Sequence, residues 1–321
     1  MRAERRTLLV LLGLIALAGA ALALLTAANR RAEEAEREAE EGSIPLTAFA
    51  EAELEAIEYT WQGQTVRLAC DGEDWILADD PDYHLDQTPC DTMAAALVGL
   101  RAKRRLEAQP GEDYGFAAPL VTVAVTAAGR TETFVFGDAN PVTGDIYLQK
   151  AGEDAVYTAD AARAGCFEVS REELFEPFNP AGITASRLET IRYTLADGEE
   201  VCLQAVSVPD ESGADSAYTT VWRLADQPDA PLDEEKVEAI LSALGGYVTG
   251  QITPAAGADP AACGFDAPLA AVTAWDGAGE YVLTYAEGTD GYYLMVEGDG
   301  SVYTVDGAAA NAFLPAEELK L

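Results

Sequence analysis

Apolar and polar residues alternate along Leu120–Thr126, placing Val121, Val123 and Val125 on one face with the period of a half-buried strand. Ala127-Ala128-Gly129-Arg130 turns this run into Thr131–Phe136, where Phe134 and Phe136 share a face. Ile146–Lys150 and Val156–Ala159 follow, joined by Ala151-Gly152-Glu153-Asp154. Upstream, Ile57–Trp61 and Thr65–Cys70 flank Gln62-Gly63-Gln64 and read as a hairpin. Asp71-Gly72-Glu73 turns the chain again into Trp75–Ala78, which Pro81 stops. Between these strands the period changes once. Met93, Leu97 and Leu100 recur at helical spacing behind Thr88-Pro89-Cys90-Asp91, which reads as an N-cap, a proline at the first helical position and an acid at the third. Arg101, Lys103, Arg104 and Arg105 are expected at the end of that helix, where cations complement its dipole.

Most of this pattern is written twice. Trp75-Ile76-Leu77-Ala78-Asp79-Asp80-Pro81, Leu85-Asp86 and Gly115-Phe116 with Pro119 return as Trp222-Arg223-Leu224-Ala225-Asp226-Gln227-Pro228, Leu232-Asp233 and Gly264-Phe265 with Pro268. Leu188–Thr194 answers Leu54–Thr60, and Val302-Tyr303-Thr304 answers Val156-Tyr157-Thr158. The second helix is capped by Asp233 and places Val237, Ile240, Leu241 and Leu244 on one face. Ala270–Trp275, Glu280–Tyr285, Tyr292–Val296 and Val302–Val305 repeat the strands, and a polar insertion follows Pro209. No strand–helix alternation of the doubly wound kind is present. The expected fold is therefore α+β: two tandem, homologous domains, each an antiparallel β-meander or hairpin sheet with one main helix, behind a single N-terminal transmembrane helix.

That last element comes from Thr7–Ala28, an uncharged run of 22 residues that would span about 33 Å as a helix. Its length exceeds the apolar region of a cleavable signal peptide, so an uncleaved anchor is expected. Arg2, Arg5 and Arg6 before it and Arg30, Arg31 and Arg37 after it are nearly balanced; the usual outcome for a signal-anchor puts the N-terminus inside. The resulting division is a cytoplasmic tail 1–6, an anchor 7–28, a polar helical stalk 29–44, a first repeat 45–176, a linker 177–186 and a second repeat 187–321. The protein is expected in the cell membrane as a single-pass protein with its C-terminal domains extracytoplasmic.

Composition narrows the partners. A formal charge of −36 over 321 residues repels phosphates and excludes nucleic acid. The cysteines Cys70, Cys90, Cys166, Cys202 and Cys263 are odd in number and not copied between repeats, so they form no disulfide framework and read as free thiols.

Duplication also sorts residues by role. What both copies keep, Trp75 and Trp222, Pro81 and Pro228, Leu85 and Leu232, Gly115 and Gly264, Phe116 and Phe265, Pro119 and Pro268, is core-filling or turn-forming and carries no acid, base or nucleophile. The single histidine, His84, stands where the second copy has Pro231, and reads as a solvated loop residue in preference to a metal ligand beside Asp82 and Asp86. Phosphate loops, nucleophile elbows, His-Glu-x-x-His helices, Cys-x-x-Cys pairs and EF-hand loops are absent from the sequence. No catalytic, cofactor-binding or metal-ligating residue is assigned, and no cofactor is expected.

A Trp strand followed by a Pro and an acidic helix cap, a Tyr-Gly-Phe-x-x-Pro turn, a hairpin, a Gly-Asp-x-Asn-Pro loop and a Tyr-x-x-Asp end together resemble the family catalogued as domain of unknown function 4340. The residues carrying the resemblance are Trp75, Pro81, Tyr114-Gly115-Phe116, Pro119, Gly137-Asp138-Ala139-Asn140-Pro141, Tyr147 and Val156-Tyr157. It covers residues 50–170 well and 187–314 more loosely, with Cys263 in place of the tyrosine and no such loop at Ala286–Asp290. The resemblance implies a bacterial, membrane-anchored envelope protein without known activity, often encoded beside transporters that resemble gliding-motility ABC exporters.

The expected function is accordingly non-enzymatic: a membrane-anchored envelope module, an interaction or accessory protein whose partners are the membrane through Thr7–Ala28 and a protein of the envelope, ABC-transporter components included. An extracytoplasmic glycan or small-ligand binder is the alternative, using the aromatic strands with Trp275, Tyr281, Tyr285, Tyr292, Tyr293 and Tyr303. A carboxylate-pair hydrolase is the remote one.

Overall fold

The structure, a computed structural model, describes residues 43–108, 111–209 and 218–321. The expected tail 1–6, anchor Thr7–Ala28, stalk up to Gly42 and most of the polar insertion after Pro209 lie outside the described residues. Among the described residues no helix is long and apolar enough to cross a membrane.

In chain order the first half contributes β1 (Ile44–Pro45), β2 (Leu54–Trp61), β3 (Gln64–Asp71), β4 (Asp74–Leu77), α1 (Gln87–Val98), β5 (Arg101–Ala102), β6 (Arg104–Leu106), β7 (Val121–Ala127), β8 (Arg130–Ala139), β9 (Ile146–Lys150), β10 (Val156–Ala159) and α2 (Ala162–Gly165). The second half contributes β11 (Leu188–Leu195), β12 (Glu200–Pro209), β13 (Tyr218–Leu224), α3 (Glu234–Gly245), β14 (Gly250–Ile252), β15 (Ala270–Asp276), β16 (Glu280–Glu287), β17 (Tyr292–Val296), β18 (Val302–Val305) and α4 (Gly307–Ala310).

The strands form two eight-stranded sheets, β4-β3-β2-β7-β8-β9-β10-β6 and β13-β12-β11-β15-β16-β17-β18-β14, with β1 and β5 as a separate pair. Element for element the two orders correspond, so the duplication read in the sequence is a duplication of sheet topology. The chain divides into two compact units: the described residues up to Leu54 with 59–63 and 92–168, and residues 55–58, 64–91 and 169–321.

The α+β expectation is corrected by this architecture. The protein is mainly β, two eight-stranded antiparallel sheets with four short helices among the described residues. Two of those helices have 12 residues and two have four. One reason lies at the end of α1. The basic run does not complete the helix, which stops at Val98; Arg101–Ala102 pairs with β1, and Arg104–Leu106 pairs antiparallel with Val156–Thr158 as an edge strand. Two exposed arginines and a half-buried leucine are too few to show a strand period, and charge on an edge is how sheets avoid further pairing. β14 makes the same edge against Val302–Thr304, at a segment where the sequence pattern predicts no strand.

Elsewhere alternation translated directly. β7 buries every second residue, with Val121, Val123 and Val125 fully buried, and pairs with β8 from Val121↔Phe136 to Ala127↔Arg130. β11 and β2 share one burial pattern, and each carries a buried tyrosine at its sixth position, packed against a phenylalanine from the end of its repeat. The Tyr59–Phe167 centroids are 5.8 Å apart and the Tyr193–Phe313 centroids 5.3 Å. The first pair is tilted and the second edge-on, and such pairs add about 0.5–1.5 kcal/mol beyond the area they bury.

Candidate functional site

The duplicated positions serve the fold. Gly115 and Gly264 adopt φ of +81° and +85°, and a side chain at either would run into the following hairpin, at Asp138 and at the Glu287 carbonyl respectively. Both reasons require glycine. The helix caps are duplicated too. Asp86 Oδ1 accepts the Thr88 N–H at 2.9 Å, as Asp233 Oδ1 accepts that of Glu235 at 3.0 Å. Asp86, not Thr88, therefore caps α1, and Pro89 falls inside the first turn, where its missing N–H leaves no helical bond unmade. Next to each cap a strap closes on the chain: Asp86 N–H donates to Leu174 O at 2.8 Å, Asp233 N–H to Leu319 O at 2.9 Å.

Two polar residues that differ between copies, Asp80 and His84, gather in one place. Asp80, whose counterpart is Gln227, is 1% exposed. One carboxylate oxygen takes the Arg171 guanidinium, and the other accepts the Thr253 hydroxyl at 2.5 Å. Thr253 in turn accepts the Ala256 N–H at 3.1 Å, so the hydroxyl both donates and accepts. Arg171 lies 4.9 Å over the Tyr83 ring, whose hydroxyl donates to Arg171 O at 3.1 Å. Burial pushes the Tyr83 phenol up to about 12, partly offset by the Arg171 charge.

His84 belongs to the same cluster, which corrects its reading as a solvated loop residue. Its ring is half-buried and stacks on Phe178 with centroids 4.0 Å apart, and Nδ1 is 2.8 Å from Glu176 O, where it must carry the proton. The Gln251 side chain accepts the His84 N–H at 2.8 Å and donates to Asp82 O and Ser301 Oγ, each at 3.2 Å. Neither Asp82 nor Asp86 engages the ring in a bond, and among the described residues no three His, Cys, Asp or Glu side chains converge as a metal would need. The cluster's charged and polar groups are spent on each other: residues 80–86 are tied to the strap at 171–178 and to residues 251–253 and 301.

The remaining candidates are dispersed. In the Gly137–Pro141 loop, Asn140 Oδ1 accepts the Val142 and Thr143 N–H groups and Asp138 N–H donates to Tyr114 O. These bonds shape the loop and leave Val142 89% exposed at its tip. Of the aromatic set in the second copy, Tyr285, Tyr293 and Tyr303 are buried in the core; Trp275, Tyr281 and Tyr292 are half-buried, with Trp275 Nε1 donating to Glu280 at 3.0 Å and Tyr281 to Asp276 at 3.0 Å. All five cysteines are free thiols; Cys90 and Cys263 are buried and Cys70 is exposed. Burial pushes the Cys90 thiol up to about 12 and Cys166 up to about 11. The Arg101–Arg105 cations separate to different partners, Arg101 to Ser43 and Lys103 to Asp145 and Asp160.

Sequence reading missed Asp80, Arg171 and Thr253. A signal was present in Asp80, since Gln227 interrupts the copied Leu-Ala-Asp-x-Pro run, but its partners lie 91 and 173 residues away.

Sheet topology, caps and straps together define a tandem-repeat β protein in which each copy closes on itself through its own strap. The chain belongs to the family described as Domain of unknown function (DUF4340), whose model matches residues 75–219 and 222–318. No curated protein and no solved structure matches it.

Proposed function

We propose that this protein is a non-enzymatic, membrane-anchored envelope module that works by binding another protein, an ABC-transporter-like complex being the partner class. On this reading Thr7–Ala28 holds the chain in the cell membrane and residues 45–321 stand outside the cytoplasm. The observation that carries the proposal is the use made of Asp80 and His84. The most buried carboxylate that the copies do not share, and the only imidazole of the chain, are consumed in bonds that tie one segment to another. Catalysis needs such groups aimed at a substrate. Membership of a family without a described activity agrees with this and adds no more.

The test is photo-crosslinking of the full chain in intact membranes, with the crosslinker at several exposed positions, followed by mass spectrometry. Recovery of the same envelope protein from more than one position is expected. Recovery of no specific protein at any position would reject the reading, and protease digestion of intact cells checks the orientation on which it depends.

A further inference from the structure

Both long helices end alike in sequence as far as Leu97 and Leu244, and then differ. In the first copy Val98-Gly99-Leu100 follows, and Leu100 is buried, 1% exposed. Thr47, itself buried, donates to Leu97 O at 2.7 Å and accepts the Leu100 N–H at 3.2 Å, so the end of α1 is plugged and capped. In the second copy Gly245-Gly246-Tyr247 follows Leu244, and Ala181 stands where the Leu54/Leu188 register places Thr47. Tyr247 turns out to solvent at 71% exposure. The next residue, Val248, is buried instead and donates its N–H to Phe178 O at 2.9 Å, and an open groove of about 620 Å³ lies between residues 179–185 and the last turns of α3.

Its lining has one sign. Glu238 is the only charged side chain on the wall, and it makes no ion pair among the described residues. Gly245 and Gly246 bring the C-terminal, negative end of the α3 dipole to the same opening. Asn179 turns its amide onto its own loop, accepting from Ala181 and donating to Ile183 O. Tyr247 supplies an exposed aromatic face at the rim. Asp91 occupies the Glu238 position in α1, so the carboxylate alone does not distinguish the copies; the exposed Tyr247 and the glycine pair beside it do.

We infer that this groove receives an arginine or lysine side chain from a basic segment of the partner protein, its cation held by Glu238 and the helix end and its stem against Tyr247. A formal charge of −36 favours a basic surface on anything that docks here, and an open groove with one carboxylate on its wall admits a side chain from a docked segment. The inference rests on the interaction function proposed above and names the chemistry of the partner.

Two measurements test it on the full chain. Anisotropy of a fluorescent ten-residue Arg/Gly/Ser peptide is followed with the wild type and with Glu238→Gln, Tyr247→Ala and, away from the groove, Glu172→Gln. Glu238→Gln is expected to weaken binding about fivefold and Tyr247→Ala about threefold, with Glu172→Gln unchanged. All three target residues are exposed, so folding is not at stake. Absence of binding, or equal effects at Glu238 and Glu172, overturns the groove as the site. Spermidine competing as well as the peptide, residue for residue of charge, overturns the assignment to a protein segment. Second, a photo-crosslinker at position 247 is compared with one at Val142. Partner capture at 142 but not at 247 rejects the groove and leaves the interaction function standing; capture at neither rejects both.

Discussion

Asp80→Ala is the sharpest test of how residues 80–86 are held. The wild-type carboxylate is 1% exposed and satisfies two groups, the Arg171 guanidinium and the Thr253 hydroxyl. Removing one partner of a buried ion pair costs about 3–5 kcal/mol because the other charge is stranded. Arg171 is 29% exposed and rests on the Tyr83 ring, so water and the ring recover part of that cost. Thr253 is fully buried and loses the acceptor for its hydroxyl, which adds about 1–3 kcal/mol. A net loss of about 3 kcal/mol follows, a drop of roughly 1 M in the urea midpoint at an m-value near 3 kcal/mol/M. Equilibrium urea unfolding of the full chain by tryptophan fluorescence measures it. The companion Asp80→Leu/Arg171→Met should regain most of the loss, since an apolar pair of similar volume replaces a buried ion pair at little cost. A loss below about 0.5 kcal/mol for Asp80→Ala, the size of an ordinary surface change, would refute the reasoning.

Gly264→Ala should destabilise by more than about 1 kcal/mol, because it adds a left-handed backbone penalty to a collision with the Glu287 carbonyl; Gly257→Ala, also at positive φ but facing open space, should cost distinctly less in the same unfolding assay. Asp86→Ala and Asp233→Ala should each cost about 1 kcal/mol as lost caps, whereas Thr88→Ala should fall short of either, and circular dichroism melts will rank the three. Alkaline stability carries a sign. The folded chain holds the Cys90 proton up to about 12 against a reference of 9.0, and the Tyr83 proton up to about 12 against 10.0. Folding therefore binds these protons more tightly, the contribution is complete below about pH 9 and it is lost as pH climbs towards 12. Cys90→Ala should flatten the fall in urea midpoint between pH 9 and 11; an unchanged slope would remove Cys90 as a cause.

By itself the sequence determined the duplication, the strands that alternate and the cap of α3. Val121, Val123 and Val125 announce β7 because one face of a strand must be buried and the other need not be, and that rule acts within seven residues. It determined Gly115 and Gly264 as backbone positions because both copies keep them where no side chain fits. The tertiary structure decided what depends on distant pairing. Arg104–Leu106 and Gly250–Ile252 are strands only because β10 and β18 offer them an edge, and three-residue segments are too short to carry a period of their own. Counting those edges turned an expected α+β chain into a mainly β one. The structure also decided the fate of the single-copy polar groups: whether Asp80 and His84 faced a ligand or a neighbour depended on Arg171, Thr253, Phe178 and Gln251, which local physics along the chain cannot bring together. So too with the groove at Tyr247. Gly245, Gly246 and Tyr247 border a groove only because the chain brings residues 179–185 against the last turns of α3.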